Sequence, residues 1–205
     1  MAKTVLIHGF AVGLTTPIFR SGFGFKAGFS AWENQITTGE AVVFRWGINR
    51  QVKLWQILNP FFLRDYYEAE KILAQTNETF ERLKIFLEQE QPTIIVCHSL
   101  GSSLLNQYCQ KFSLPISVQK IFLVQSDLSI KDKLNFPVDR LSVYNIFCPW
   151  DPTLLVSWLY NRVWRVGLDS VKNKGLKNIL FPLFRPLNLH TSSIRDPGLV
   201  ELVEK

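Results

Sequence analysis

The sequence lacks any apolar run long enough to cross a bilayer, which takes about 18 to 20 residues. Hydrophobic residues make up 47% of the 205 residues, but they lie in short runs interrupted by charged residues, proline or glycine. The first nine residues contain neither the long apolar core nor the small-residue cleavage site of a signal peptide. We therefore expect a soluble, cytoplasmic protein.

Cysteine is also scarce. The three cysteines, Cys97, Cys109 and Cys148, are an odd number, and their spacing matches no common set of zinc ligands. Each lies among apolar residues, as buried thiols do in proteins of reducing compartments. The sequence therefore predicts reduced core thiols and no metal site.

Adjacent basic residues are absent as well, although the formal net charge is +6. Lysine and arginine are spread over segments 45–53, 111–140 and 162–185, and no nucleic-acid-binding motif interrupts the chain. Proteins that bind nucleic acid cluster their cations to neutralise phosphates. We interpret the charge as a solvated basic face and expect no nucleic-acid partner.

No internal repeat, low-complexity tract or linker divides the chain, so we predict a single domain over residues 1–205. Short apolar runs rich in β-branched residues alternate with longer segments of helical period, which is typical of a mostly parallel sheet with helices on both faces. Six strands are predicted, at 4–8, 41–46, 93–98, 119–126, 141–148 and 177–182. The expected fold class is α/β, a three-layer α/β/α sandwich.

Helical periodicity is clearest over residues 65–90, where apolar residues recur at spacings of three and four, with a predicted break near Thr76 and Asn77. Further helices are predicted at 102–112, 153–166 and 197–204. Segment 47–64 fits neither pattern. We interpret its aromatic residues as core in preference to a flap over a site.

Segment 93–101 combines a buried strand, a tight turn and the start of a helix. Ser99 stands at the turn, followed by the small residues Gly101, Ser102 and Ser103. A serine in such a strained turn exposes its hydroxyl at the carboxyl edge of the sheet, beside backbone N–H groups that can stabilise an oxyanion. Ligands of open α/β sheets also bind at that edge. The pattern predicts a serine nucleophile.

Residues Cys97-His98-Ser99-Leu100-Gly101 resemble the G-x-S-x-G nucleophile elbow of the α/β-hydrolase superfamily, in its GHSLG form. Cys97 replaces the first glycine, whereas Gly101 is retained. The resemblance extends from Lys3 to the C-terminus. It implies the α/β-hydrolase fold without a cap domain, because the 127–140 connection, where family members insert a lid, is short.

The same resemblance implies a catalytic triad in the chain order nucleophile, acid, base. His190 is the only histidine downstream of the elbow, so it is the candidate base. Asp151 follows a buried strand and precedes proline, as the acid of the family does, and would fix the tautomer of the base. Asp127, after the preceding strand, is the alternative acid, since some family members place theirs there.

The resemblance also implies an oxyanion hole made by the backbone N–H groups of Phe10 and Leu100. Phe10 follows a strand that ends in His8-Gly9, similar to the H-G-x segment of the family, and Gly9 lets the backbone approach the reacting carbonyl. We expect His8 to hydrogen-bond this loop and His98 to point away from the nucleophile.

Together these residues predict a serine hydrolase that cleaves carboxylic esters through an acyl-enzyme, with no metal or organic cofactor. Aromatic residues near the predicted site favour a small-molecule ester with an apolar acyl group: Phe19, Phe23, Phe25, Phe29, Trp150 and Trp158. Thioesterase or amidase activity would use the same residues, and a lipase that touches a membrane through segment 158–165 is a further alternative. A protein that keeps the fold and only binds a ligand is the alternative of another class.

Overall fold

The computed structural model describes residues 3–10, 14–15, 28–48, 50–51, 56, 59–151, 153–155, 158, 163–172, 175–181, 190 and 193–205. The strands in these ranges are β1 (Thr4–Ile7), β2 (Leu14–Thr15), β3 (Ala41–Phe44), β4 (Arg50–Gln51), β5 (Ile94–His98), β6 (Lys120–Val124), β7 (Ser142–Phe147) and β8 (Leu176–Leu180). The α-helices that lie wholly within these ranges are α1 (Glu33–Thr38), α2 (Pro60–Leu73), α3 (Asn77–Glu90), α4 (Leu100–Lys111) and α5 (Pro197–Glu204). Short 3-10 helices lie at Ser30–Trp32, Val166–Leu168 and Ser193–Arg195.

Six strands form one fully parallel sheet in the order β3-β1-β5-β6-β7-β8. The two-residue strands β2 and β4 pair separately. In the main sheet, Cys97 at the end of β5 lies opposite Ile7 of β1 and Leu123 of β6. Because parallel strands all end at the same edge, the residues that follow β1, β5, β6 and β7 come together there.

Alternate residues of the central strands pack on opposite faces of the sheet, as expected for strands buried on both sides. One face packs against α3 and α4 and includes Val5, Ile7, Ile95, Cys97, Leu83, Leu87, Leu104 and Leu105. The other packs against the Ser30–Trp32 turn and α5 and includes Leu6, Val96, Phe122, Trp32, Leu199 and Val203. This arrangement confirms the predicted three-layer α/β/α architecture.

Side-chain caps set several helix boundaries. Thr76 accepts a hydrogen bond from the Thr79 N–H at the start of α3, which confirms the predicted break near this residue. Asn59 caps α2 in the same way, with proline at the first helical position. Helix α2 therefore begins inside the 47–64 segment that the sequence pattern left unassigned.

The six predicted strands are confirmed, with ends that shift by two residues at most. The predicted helix 153–166 is wrong at its C-terminal end. There Arg165 forms an antiparallel bridge with Ser129, and a 3-10 helix starts at Val166. The cause is tertiary: the Val166 N–H donates to the Leu128 carbonyl and the Gly167 N–H to the Ser126 carbonyl. Residues 156–157 and 159–162 of that prediction lie outside the described ranges.

The connection from β6 to β7 contains turns and one isolated bridge residue but no helix, so no cap domain is inserted there. None of the helices in the described part of the chain is long and apolar enough to span a membrane.

Candidate active site

Ser99 lies at the turn between β5 and α4, where the sequence predicted it. Its backbone has φ 51° and ψ −123°, a region that residues with a side chain rarely occupy. The turn is held from both sides, because the Ser99 N–H donates to the Val124 carbonyl at 3.0 Å and the Ser99 carbonyl accepts from Ser102 and Asp127. Such strain persists only where the surrounding structure fixes it, which is typical of functional turns.

Close packing explains why Gly101 is needed in this motif. A Cβ added to Gly101 would lie 2.6 Å from the backbone oxygens of both Ile7 and His8. Helix α4 can therefore approach the end of β1 this closely only because position 101 carries no side chain. Cys97, at the position of the motif's first glycine, is fully buried in the core on the α4 face of the sheet, so this packing accommodates its thiol.

The loop after β1 lies directly against Ser99. A Cβ added to Gly9 would meet the Cβ of Ser99 at 2.7 Å, so a larger residue at position 9 would displace the turn. Phe10 follows, and its ring makes edge contacts with Tyr66 and Tyr67 of α2. The backbone of Phe10 is thus anchored next to Ser99 through its own side chain.

His8 is built into this loop as a structural residue. Its Nδ1–H donates to the Gly9 carbonyl at 2.9 Å, its Nε2 accepts from the Trp46 N–H at 3.2 Å, and its ring stacks on the Trp46 indole. Burial lowers the pKa of His8 from 6.5 to about 4. The imidazole is therefore neutral at pH 7 and hydrogen-bonds the loop.

Asp151 and His190 form a direct pair. The His190 Nδ1–H donates to Asp151 Oδ2 at 2.7 Å, while Asp151 Oδ1 accepts from the N–H groups of Thr153 and Leu154. Burial disfavours the charge on this fully buried carboxylate, but His190 and the Leu154 N–H outweigh it, so the pKa of Asp151 lies below its ordinary value. The ionised carboxylate orients the imidazole with Nδ1 toward it and Nε2 away from it.

His98 also contacts His190. Its Nε2–H donates to the His190 carbonyl at 2.7 Å, and the two rings lie 4.8 Å apart between centroids. Burial lowers the pKa of His98 to about 3, so this ring is neutral. The residue before the nucleophile therefore fixes the backbone of the candidate base.

Asp127 does not contact His190. Its carboxylate accepts a hydrogen bond from the Tyr67 hydroxyl and pairs with Arg165, whose Nε is 3.3 Å from Oδ1. Arg165 also donates from Nη1 to the Asp127 carbonyl at 2.8 Å. Burial raises the pKa of Asp127, and the Arg165 charge opposes that rise. Of the two candidate acids, the structure brings only Asp151 to the imidazole.

Ser99 and His190 lie beside the same residue, His98, at the carboxyl edge of the sheet. Among the contacts of the described residues, no hydrogen bond joins the Ser99 hydroxyl to the His190 ring.

A cleft of about 480 Å³ opens between α2 and α4. Leu100, the residue after Ser99, lies in its wall together with Asp127. Polar and charged side chains make up much of the rest, among them Lys71, Ser103, Gln107, Asp132 and Arg165. This part of the site can accommodate a polar group.

The aromatic residues expected at the rim of the site have different environments. Phe29 is fully buried against Trp32, so it belongs to the core. Trp150 is 68% exposed next to Asp151, and Trp158 contacts Trp164 edge to face. Phe19, Phe23 and Phe25 lie outside the described residues.

Sequence reasoning missed Tyr67, Gln125 and Arg165. Gln125 donates to Asp151, and the other two bind Asp127. Their partners are 26 to 60 positions away in the sequence, and no local motif marks them.

No protein-family model and no curated protein matches the sequence. A crystal structure of an inferred hydrolase of the α/β superfamily from Xanthomonas campestris pv. campestris resembles the chain, with a TM-score of 0.51 at 15% sequence identity. The match covers 99% of this chain and 97% of that one. At this identity the likeness concerns the fold alone. With its parallel six-stranded sheet, the chain has the α/β-hydrolase fold.

Proposed function

We propose that this protein is a serine hydrolase of carboxylic esters, with Ser99 as nucleophile, His190 as general base and Asp151 as the acid that orients the base. The observation that carries the proposal is the 2.7 Å hydrogen bond between His190 Nδ1 and Asp151 Oδ2. It leaves Nε2 of the ring as the nitrogen that can accept a proton, which is the arrangement that serine-histidine-aspartate catalysis needs.

The reaction has two halves. The Ser99 hydroxyl attacks the acyl carbon while His190 takes its proton, and the imidazolium then protonates the departing alcohol, leaving an acyl-enzyme. In the second half a water molecule attacks the acyl carbon and gives its proton to His190. The imidazolium returns that proton to the Ser99 oxygen as the bond between Ser99 and the acyl carbon breaks and the carboxylic acid leaves. Asp151 stays ionised throughout and stabilises the imidazolium, which its hydrogen-bond donors support.

Backbone N–H groups of Phe10 and Leu100 are the proposed oxyanion donors. Leu100 is the first residue of α4, whose leading N–H groups have no partner within the helix. Gly9 packs against Ser99, and Phe10 is anchored by Tyr66 and Tyr67, which supports the placement of the second donor. Loss of one such donor typically costs about 10²- to 10³-fold in rate.

The proposed substrate is a small ester with an apolar acyl group. The polar cleft between α2 and α4 favours a polar group on the other side of the scissile bond, so the alcohol portion is assigned to the cleft. Thioesters and amides are attacked by the same residues, so relative rates on matched substrates decide between the three chemistries.

The test is hydrolysis of p-nitrophenyl esters from acetate to decanoate by wild type, Ser99→Ala and His190→Ala, with folding checked by circular dichroism. We expect both variants to lose about 10³-fold or more in kcat/KM. Ser113→Ala, which changes an exposed serine two residues after α4, is the matched control and should keep wild-type activity. Turnover by Ser99→Ala at the wild-type rate, or none by folded wild type, would contradict the proposal, and the second result would favour a ligand-binding protein.

A further inference from the structure

Gln125 occupies an unusual position at the end of β6. It is 1% exposed, and its backbone has φ 45°, a left-handed conformation that few residues with a side chain adopt. Its N–H donates to the Ile146 carbonyl at 2.9 Å. A Cβ on Gly167 would lie 2.4 Å from the Gln125 carbonyl carbon, so the neighbouring segment closes tightly over this residue.

The side chain of Gln125 joins the candidate acid to the segment of the candidate base. Its Nε2 donates to Asp151 Oδ2 at 2.7 Å, and its Oε1 accepts from the Ser193 hydroxyl. The ionised Asp151 can only accept hydrogen bonds, which fixes the amide with its NH₂ group toward Asp151 and its oxygen toward Ser193. Ser193 lies three positions after His190.

One oxygen of Asp151 therefore has two donors. Oδ2 receives hydrogen bonds from Gln125 and from His190, whereas Oδ1 is satisfied by two backbone N–H groups. The carboxylate cannot rotate without breaking several of these bonds at once. In this low-dielectric setting, each donor also favours the ionised form.

We propose that Gln125 is a positioning residue that keeps Asp151 ionised and directed at His190. Through its hydrogen bond with Ser193, it also keeps the segment of His190 aligned with Asp151. The inference rests on the proposed hydrolase function, because the positioning matters for turnover only if Asp151 and His190 act on Ser99. Gln125 itself touches neither the substrate nor Ser99.

Two substitutions separate positioning from packing. Gln125→Met keeps the approximate volume but removes the donor, so Asp151 becomes easier to protonate. Gln125→Glu places a second carboxyl against Asp151, and two adjacent carboxylates resist ionising together. Both changes should raise the pH below which kcat/KM falls, and the rise should be larger for glutamate. Gln119→Glu, which adds the same charge at an exposed position before β6, is the matched control.

The experiment measures the pH dependence of kcat/KM for p-nitrophenyl butyrate, and the low-field NMR signal of the His190 Nδ1–H, assigned with His190→Gln. For Gln125→Glu we expect an acid limb raised by about one pH unit or more and a kcat at pH 7 at least about tenfold lower, with KM little changed. The NMR signal should move in both Gln125 variants and stay in place in Gln119→Glu.

The two readouts distinguish the inference from the function on which it rests. If folded Gln125→Met and Gln125→Glu both keep the pH dependence, kcat and NMR signal of wild type, the positioning role is wrong. The proposed hydrolase function is unaffected by that result. If wild type shows no turnover but the NMR signal moves in both variants, the proposed function fails and the coupling of Gln125 to the Asp151–His190 pair is upheld.

Discussion

The imidazole of His190 and the carboxylate of Asp151 are 39 positions apart in the sequence and 2.7 Å apart in space, between Nδ1 and Oδ2. The parallel sheet produces this proximity, because the chain leaves β7 just before Asp151 at the edge where β5 ends before Ser99. His98, which directly precedes Ser99, donates a hydrogen bond to the His190 carbonyl.

Replacement by asparagine should affect the rate differently at the two candidate acids. We expect Asp151→Asn to lower kcat/KM by about 10³- to 10⁴-fold, because an amide no longer stabilises the imidazolium or selects its tautomer. Asp127→Asn should keep the rate within about tenfold but lower the free energy of unfolding by about 2 kcal/mol or more, since Arg165 loses its carboxylate. Ester hydrolysis and urea unfolding measure the two effects. The reverse ranking of the rates would make Asp127 the acid.

Gly9→Ala tests the contact between the β1 loop and the nucleophile. The new methyl would lie 2.7 Å from Ser99 Cβ, so the loop or the turn must move. We expect a loss of about 10²-fold in kcat/KM, because small displacements of catalytic groups are costly. Gly39→Ala is the control: its Cβ meets no atom within 4 Å, and its φ of 78° costs stability of about 1 to 2 kcal/mol without touching the site. Equal activities for the two variants would refute the proposed contact.

Cys97→Gly restores the glycine that the elbow motif usually carries. Because the Cys97 side chain is fully buried, its removal should lower the free energy of unfolding by about 2 kcal/mol and leave kcat/KM within about threefold of wild type. Cys109→Ala, at a partly buried site on α4, should cost less. Thermal unfolding and ester hydrolysis provide the data. A variant as stable as wild type would mean that the thiol fills no space that the core needs.

Stability should fall on mild acidification. The pKa of His8 is lowered from 6.5 to about 4 and that of His98 to about 3, both mainly by burial. Between pH 6.5 and 4 the unfolded chain binds a proton at each ring and the folded chain does not, so this stability is present above pH 6.5 and decreases below it. Each ring contributes about 1.4 kcal/mol per pH unit in that window. The raised pKa of Asp127 acts in the opposite direction and reduces the total.

Urea unfolding at pH 7.5, 6.5 and 5.5 measures this slope. We expect a loss of about 1 to 3 kcal/mol from pH 6.5 to 5.5 and a shallower slope in His98→Asn. A free energy of unfolding that stays constant or rises over this interval would show that the two buried histidines do not resist protonation in the folded state.

Local patterns in the sequence predicted much of the fold and the residues of the candidate site. Buried β-branched runs marked the six strands, and the strand, serine and glycine of segment 93–101 marked the turn, because each signal lies within a few residues. The end of the predicted helix 153–166 could not be obtained that way, since pairing of Arg165 with Ser129 overrides the local helical spacing. Gln125, Tyr67 and Arg165 were missed for the same reason: their roles depend on partners that only the folded sheet edge brings close.

Covalent labelling by a fluorophosphonate, mapped by peptide mass spectrometry on the folded protein, tests directly whether Ser99 is the nucleophile. We expect one adduct, on Ser99. It should be absent in Ser99→Ala, form far more slowly in His190→Ala and disappear when the protein is unfolded before labelling. No adduct on folded wild type, or an adduct on another residue that persists in Ser99→Ala, would contradict the assignment of Ser99 as the nucleophile.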